Sequence, residues 1–573
     1  MAAALAASIR GLSPLVCEKT EQVGGTTATS AGTVWIALTP AALQQGLDSR
    51  ENVERYLAAL IPGAADSAAL RAFLDNGPRA LAFFAEHSEV KFTLVPKHPD
   101  YRERSPGATQ GGRALIPPVF DGRLLGAEFG RVRPPLREFM VLGGMMLGKT
   151  DIPPLLRPLG SFANLVHATR LLARYALDRA RFARGTRLVM GNALVGRLFH
   201  SLRQRNVPIR YGATLRDLII AEGRVVGAVA DTSEGERRIE ARHGVVLASG
   251  GFGGNQALRA KLFPQPLAKA TVGFEGNTAE AIHAALRVGA VLDLDHETPT
   301  FWVPTSLMRR ADGSIARYPH IILDRAKPGL IAVDHSAQRF TNEADSYHDF
   351  VLAMYANERK RKTIPAHLIC DAAFLRQYGL GIVHPGERNL KPFIVAGYLK
   401  TGATIEALGR ALGIDGAALA ATIARYNEHA ARGEDPQFQR GATELNRFNG
   451  DPDQKPNPCV RPIGKGPYHA VSVYPSDLST SVGLRADEHA RVLDGRGTPI
   501  VGLYACGADM SSVMKGAYPG PGTTLGPAIT FAYIAAEHLA RHAAQSAPRT
   551  RSVERDHAAP ADATLDHAFA VRQ

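Results

Sequence analysis

Glu18 closes the apolar run PLVCEK (Pro14 to Lys19), and the small-residue loop VGGTTATSAG comes directly after it. An acid at the end of a parallel strand, just before a glycine-rich turn, is how a dinucleotide fold hydrogen-bonds an adenosine ribose. In that loop Gly24, Gly25, Thr26 and Thr27, continuing to Ser30 and Gly32, would let backbone amides approach a pyrophosphate, with hydroxyls adding donors. At the other end of the chain, YPGPGTT (Tyr518 to Thr524) runs into a long apolar segment. If that segment is a helix, its first amides are unpaired and its dipole is positive there, which favours negative charge. Each feature also has a plain structural reading: a solvated strand-end acid, a flexible turn, and a Gly-Pro loop capping a core helix.

These groups need elements to hold them. Pro14 to Lys19 reads as a buried parallel strand, and AAALAAS near the start as part of a helix. Val207 to Val229 alternates apolar residues around a turn at Glu222-Gly223, and GVVLASGGFGGN is a strand running into glycines, with Ala248, Ser249 and Gly250 at its end. PIVGLYACGADM reads as another buried strand, with Gly507 and Asp509 at its end, and GTTLGPAITFAYIAAEHLARH as a long helix that tolerates Pro527 in its first turn. Between 298 and 478 the pattern becomes mixed, with helical stretches such as IEALGRALGIDGAALAATIARYNEH. This divides the chain into a first lobe (1–297), an inserted domain (298–478), a return to the first lobe (479–545) and a polar, aperiodic tail (546–573) expected to be disordered.

At 573 residues the chain exceeds one hydrophobic core, and 45% hydrophobic with 21% charged residues is an ordinary globular composition. The net charge of +13 could point to nucleic acid, but apart from Arg359 to Lys362 the basic residues are scattered among acids, which excludes that class. Cys17, Cys370, Cys459 and Cys506 form no CxxC pair, so neither a metal site nor a disulfide framework is expected. The opening lacks the basic start of a signal peptide, and no apolar run reaches the roughly 20 residues of a membrane span, so a cytoplasmic location is expected.

Taken together, EKTEQVGGTTATSAG, GVVLASGGFGGN, RFTNE and GLYACGADM with YPGPGTTLGPA resemble, in order and spacing, the flavoprotein family of fumarate reductases and 3-ketosteroid dehydrogenases, up to about His542. The resemblance implies an α/β fold: a Rossmann-like FAD-binding domain with an inserted α+β catalytic domain. It implies that FAD is held by Glu18, Lys19, Gly24, Gly25, Thr26, Thr27, Ser30, Gly32, Ala248, Ser249, Gly250, Gly507, Asp509, Thr524 and Leu525. It also places a first strand and a GxGxxG loop before the AAALAAS helix; the sequence begins inside that helix, so the groove is expected to be open there.

The branches differ after RFTNE. Fumarate reductases carry an arginine where Tyr347 stands, a histidine absent from PSDLSTSVGL, and another arginine where Tyr518 stands. A dicarboxylate would be held poorly without them. The 3-ketosteroid Δ1-dehydrogenases match instead: Tyr347 is placed as the base, Tyr518 with the Gly522 N–H as the carbonyl clamp, and Tyr101 as the assistant. A phenol ordinarily titrates near ~10, so Tyr347 needs a neighbour or a cation to act as base. The implied substrate is a small-molecule ketone of steroid-like kind, with an electron acceptor beyond FAD. The alternatives are an enone or enoate reductase of the same family and a non-catalytic relative without cofactor.

Overall fold

The computed structural model describes residues 1–268, 270–321 and 323–546, and the expected disordered tail beyond 546 lies outside the described residues. Two short parallel pairs mark the nucleotide-type lobe. Val16–Cys17 pairs with Ile209–Arg210, and Val245–Leu247 pairs with Leu503–Ala505 of the strand Pro499–Ala505. The α/β architecture expected from the sequence is thus present.

The strand ending at Glu18 differs from its expected form. Val16 is half-buried and Cys17 exposed, because the strand has a partner on one side alone and its residues line a cavity. An apolar run signals burial only when both edges and faces are covered. The hairpin Thr214–Ala221 with Arg224–Thr232 turns at Glu222 and Gly223, both at positive φ (51° and 71°), the geometry of a two-residue turn.

The small-residue helix Ala2–Ile9 buries Leu5, Ala6 and Ala7 and packs on the C-terminal helix Leu525–Ser546, as does Ala68–His87. IEALGRALGIDGAALAATIARYNEH forms two helices, Ile405–Leu412 and Gly416–Ala430. Gly413, left-handed at φ 73°, ends the first, and the Asp415 side chain accepts the Ala417 and Ala418 amides to start the second.

The other lobe is built on a seven-strand sheet whose main path runs Ile315–Pro319, Thr300–Arg309, Tyr468–Thr480, Ala366–Asp371, Leu330–Val333. Ala270–Thr271 and Lys400–Gly402 also pair with Tyr468–Thr480, so the sheet draws on chain before position 298. Every residue of Leu330–Val333 and Ala366–Asp371 is buried, as expected for strands covered on both faces. Among the described residues no helix is long and apolar enough to cross a membrane.

Candidate active site

RFTNE braces the start of the helix that carries Tyr347. Arg339 makes a bidentate pair with Glu343 (2.9 and 2.7 Å) and a second with Asp435 (2.7 and 2.8 Å), all buried. Asn342 donates to Asn446 Oδ1 (2.9 Å). The braced turn delivers Ser346, whose hydroxyl accepts the Asp349 amide (3.1 Å) and starts the helix Tyr347–Glu358. Tyr347 is therefore the first residue of a helix docked on Thr300–Arg309, where the Trp302 amide donates to His348 Nδ1 (3.1 Å). Burial pushes His348 down to about 3, keeping it neutral and able to accept.

Tyr101 and Tyr518 arrive on loops that are bonded to each other. The Tyr101 amide donates to the Pro519 carbonyl (2.8 Å), and the Tyr56 hydroxyl donates to the same oxygen (2.7 Å). Behind Tyr101, buried Asp100 accepts from Arg113 (2.7 Å), the Trp35 indole (2.9 Å) and the Thr109 amide (3.1 Å). Arg113 is shared with Asp48 at 2.7 Å. Because Arg113→Met would leave two buried carboxylates without a cation, it should cost about 3–5 kcal/mol of stability. A urea midpoint unchanged from the wild type would refute that.

The three tyrosines meet. The Tyr101 hydroxyl donates to Tyr347 (3.2 Å), which donates to Tyr518 (2.7 Å), and each pair of rings has centroids 5.4 Å apart. Phe301, Val272, Val303 and Leu445 pack around them. Burial raises all three hydroxyls well above the ordinary tyrosine value. Arg325 acts in the opposite direction on Tyr101 and Tyr347. Its guanidinium is fully occupied by carbonyls, donating to His320 O (2.7 Å), Glu343 O (2.8 Å) and Asp345 O (3.3 Å), so it also fixes the turn before Tyr347. Nothing in the sequence distinguishes Arg325 or His348 from other scattered polar residues.

Gly522 sits beside Tyr518 at φ 95°, where a Cβ would lie 2.5 Å from Thr33 O and Trp35 N. Its carbonyl accepts from the Trp35 and Gly526 amides (3.1 and 2.9 Å), while its own N–H meets no acceptor among the described residues. Tyr101, Tyr347, Tyr518 and Gly522 all line one continuous cavity of about 2290 Å³.

The same cavity extends past Glu18, Lys19, Gly24 to Thr27, Ser30, Gly32, Ala248 to Gly250, Gly507, Thr524 and Leu525, between the two parallel strand pairs. Its size and length suit a dinucleotide. Gly24 is at φ 116°, and a Cβ there would meet Ala28 Cβ at 2.9 Å and Val195 at 3.0 Å, so this residue lets the turn close on the helix Gly25–Thr29. The amides opening that helix have no partner within it. Other candidates are already engaged. Glu18 Oε1 accepts the Thr20 amide and hydroxyl (both 2.9 Å), and Lys19 binds Glu280, Thr278 (2.7 Å) and Gly276 O (3.0 Å). Thr26 Oγ1 accepts the Phe274 amide (2.8 Å), and Ser30 Oγ bridges Thr27 O and the Gly32 amide (2.8 and 3.0 Å). Asp509 lies behind the wall, accepting the Ser249 hydroxyl (3.0 Å) and the Gly251 amide (2.9 Å), so it shapes the glycine turn from outside the cavity.

A family model described as an FAD binding domain matches residues 1–525. The chain belongs to this FAD-binding family. This flavoenzyme is an FAD-dependent oxidoreductase, and the two relatives that follow share nearly its whole length. It is 39% identical to a 4-oxocyclohex-2-ene-1-carboxylate 5-dehydrogenase of Sinomonas cyclohexanicum, over 94% of this chain and 92% of that one. It is 34% identical to a 3-oxosteroid 1-dehydrogenase of Mycobacterium tuberculosis, covering 95% and 96%. Among solved structures, the flavoenzyme superposes on 3-ketosteroid Δ1-dehydrogenase from Sterolibacterium denitrificans in complex with 1,4-androstadiene-3,17-dione, with a TM-score of 0.86, 34% identity and coverage of 94% and 97%.

Proposed function

We propose that this flavoenzyme forms a carbon–carbon double bond beside a ring ketone. In this reading Tyr518 and the Gly522 N–H hold the ketone oxygen, and Tyr347 takes the proton from the neighbouring carbon. Tyr101 donates to Tyr347 as negative charge builds on it. The observation that carries the reading is the directed chain Tyr101 to Tyr347 to Tyr518, at 3.2 and 2.7 Å, on a cavity also lined by Gly522, whose N–H meets no acceptor among the described residues.

A hydrogen beside a ketone becomes acidic only when the developing enolate is stabilised, and two preformed donors in a dry pocket do that. When bound, FAD supplies the two-electron acceptor for the adjacent carbon. The amides opening Gly25–Thr29 and the glycines at 250 and 507 would hold it along the cavity. The sheet-bearing 298–478 region covers the reacting end, and an external acceptor takes the electrons onward. Arg325 has its donors on backbone carbonyls, so its guanidinium is not free to grip a dicarboxylate. The two relatives named above act, by their names, on a cyclohexenone carboxylate and a 3-oxosteroid, both ring ketones, and we assign this chain to the same class. The four free cysteines fit the reducing cytoplasm in which we place it.

The direct test is anaerobic mixing of the FAD-loaded protein with saturated ring ketones and their alcohols. Ketones should bleach the flavin absorbance and yield the enone, and alcohols should not. Bleaching by neither would remove the assignment.

A further inference from the structure

We propose that the cavity wall at Phe448–Gly450 is a carboxylate site formed by Lys149 and Lys327, so that the substrate is a ring ketone bearing an acid group at its far end. The proposal deepens the dehydrogenase reading and rests on it for the reacting end.

Two lysines distant in sequence converge on one turn. Lys149 Nζ sits 4.1 Å from the centroid of the Phe448 ring, and Lys327 Nζ donates to the Gly450 carbonyl at 2.7 Å. Both line the cavity that holds the three tyrosines. Among the described residues neither has a carboxylate within ion-pair distance. Asp451, next along the chain, already accepts from the Tyr378 hydroxyl (2.5 Å) and Gln377 Nε2 (3.1 Å).

The surroundings sharpen the imbalance. Burial lowers the Lys327 ammonium, and Lys149, although exposed to solvent on one side, is lowered by partial desolvation; Lys149 lowers Lys327 further by like-charge repulsion, against the opposing pull of Asp451, Cys459 and Asp324. His98, tilted against Phe448 with ring centroids 4.6 Å apart, is pushed down to about 4 chiefly by burial and is neutral at pH 7. Two cations thus face one apolar-backed wall, and among the described residues neither is ion-paired, although Asp451, Cys459 and Asp324 act on Lys327 at longer range. An incoming carboxylate would relieve their repulsion and gain charge-assisted hydrogen bonds.

The location also fits the chemistry. Tyr101 lies 6.3 Å from His98, His98 4.6 Å from Phe448, and Phe448 4.1 Å from Lys149 Nζ. The ammonium can be no farther from the Tyr101 ring than these three steps laid end to end. A single ring or a fused-ring skeleton held by its ketone at one end and its acid at the other can be accommodated within that limit.

The experiment compares each acid with its own methyl ester in the FAD-loaded full chain, using 4-oxocyclohexanecarboxylate and a 3-oxosteroid with a side-chain carboxylate. The ratio of kcat/KM for acid over ester should be about tenfold or more for at least one pair, and the pair that shows it identifies the skeleton. In Lys149→Met and Lys327→Met that ratio should fall towards one, and Lys149→Arg should restore it. Calorimetric binding of acid and ester should follow the same order without relying on turnover. A wild-type ratio at or below one for both pairs, or a ratio that neither methionine variant moves, overturns the carboxylate site while leaving the dehydrogenase reading intact. Failure of every ketone, acid or ester, to bleach the flavin strikes that reading instead.

Discussion

Replacing Tyr347 with phenylalanine should slow ketone-driven flavin reduction by about a hundred- to ten-thousandfold, the usual contribution of a positioned base. The ring stays, with its edge-on packing against Tyr101 and Tyr518, so the loss reports on the hydroxyl. FAD should remain bound, since the cavity at Gly24 to Thr27 is untouched. Two further readouts isolate the base. Exchange of the hydrogen beside the ketone into deuterated solvent should stop in Tyr347→Phe even when the flavin cannot be reduced. The pH profile should change as well. Burial holds the Tyr347 hydroxyl well above the ordinary tyrosine value, so the reactive phenolate is the minor form at neutral pH and grows as pH rises. Wild-type kcat/KM should therefore climb through the alkaline range, and the variant should lose that climb. Retained exchange in Tyr347→Phe would show that another group is the base.

Tyr518→Phe should cost about a hundred- to a thousandfold, the usual effect of removing one donor from a developing oxyanion. The substitution leaves the Gly522 N–H in place, so some stabilisation survives. It also removes the acceptor of the Tyr347 proton at 2.7 Å. The alkaline climb should persist here, because the base is intact, while kcat falls more than KM rises. A variant that loses affinity alone, with kcat preserved, would show that Tyr518 binds ketone equally in the ground and transition states.

What can be read from the chain depends on how local each signal is. The turn at Glu222-Gly223 and the C-terminal helix are dictated by neighbouring residues, and each is present in the fold, whereas the stretch read as helical from Ile405 to His429 is broken at Gly413. The tyrosines are recognisable because each lies in a distinctive short segment, although 246 and 171 positions separate the bonded pairs. Lys149 and Lys327 give no such sign. Each looks like an ordinary surface lysine until the fold brings both to Phe448–Gly450. Val16–Cys17 departs from the expected burial for the converse reason, since an apolar run does not reveal whether its second edge is covered. Lys19 lines the cavity and Asp509 backs its wall, but their partners Glu280 and Ser249 lie 261 and 260 positions away, beyond any local pattern.

The closed hydroxyl chain has a consequence for selectivity. The Tyr101 and Tyr347 hydroxyls donate within the protein, so the donors left for a ketone oxygen are the Tyr518 hydroxyl and the Gly522 N–H, and a neutral carbonyl gains only the modest net worth of such hydrogen bonds. Ground-state affinity must then come from the rest of the molecule, its rings against the apolar walls and any charged group beyond them. The oxygen-binding end discriminates only as the carbonyl acquires negative charge, when donors that were adequate for a neutral partner become strong ones. Inert polycycles of the right shape would be expected to enter and leave freely, so that the reaction, more than occupancy, decides which ring compounds are its substrates.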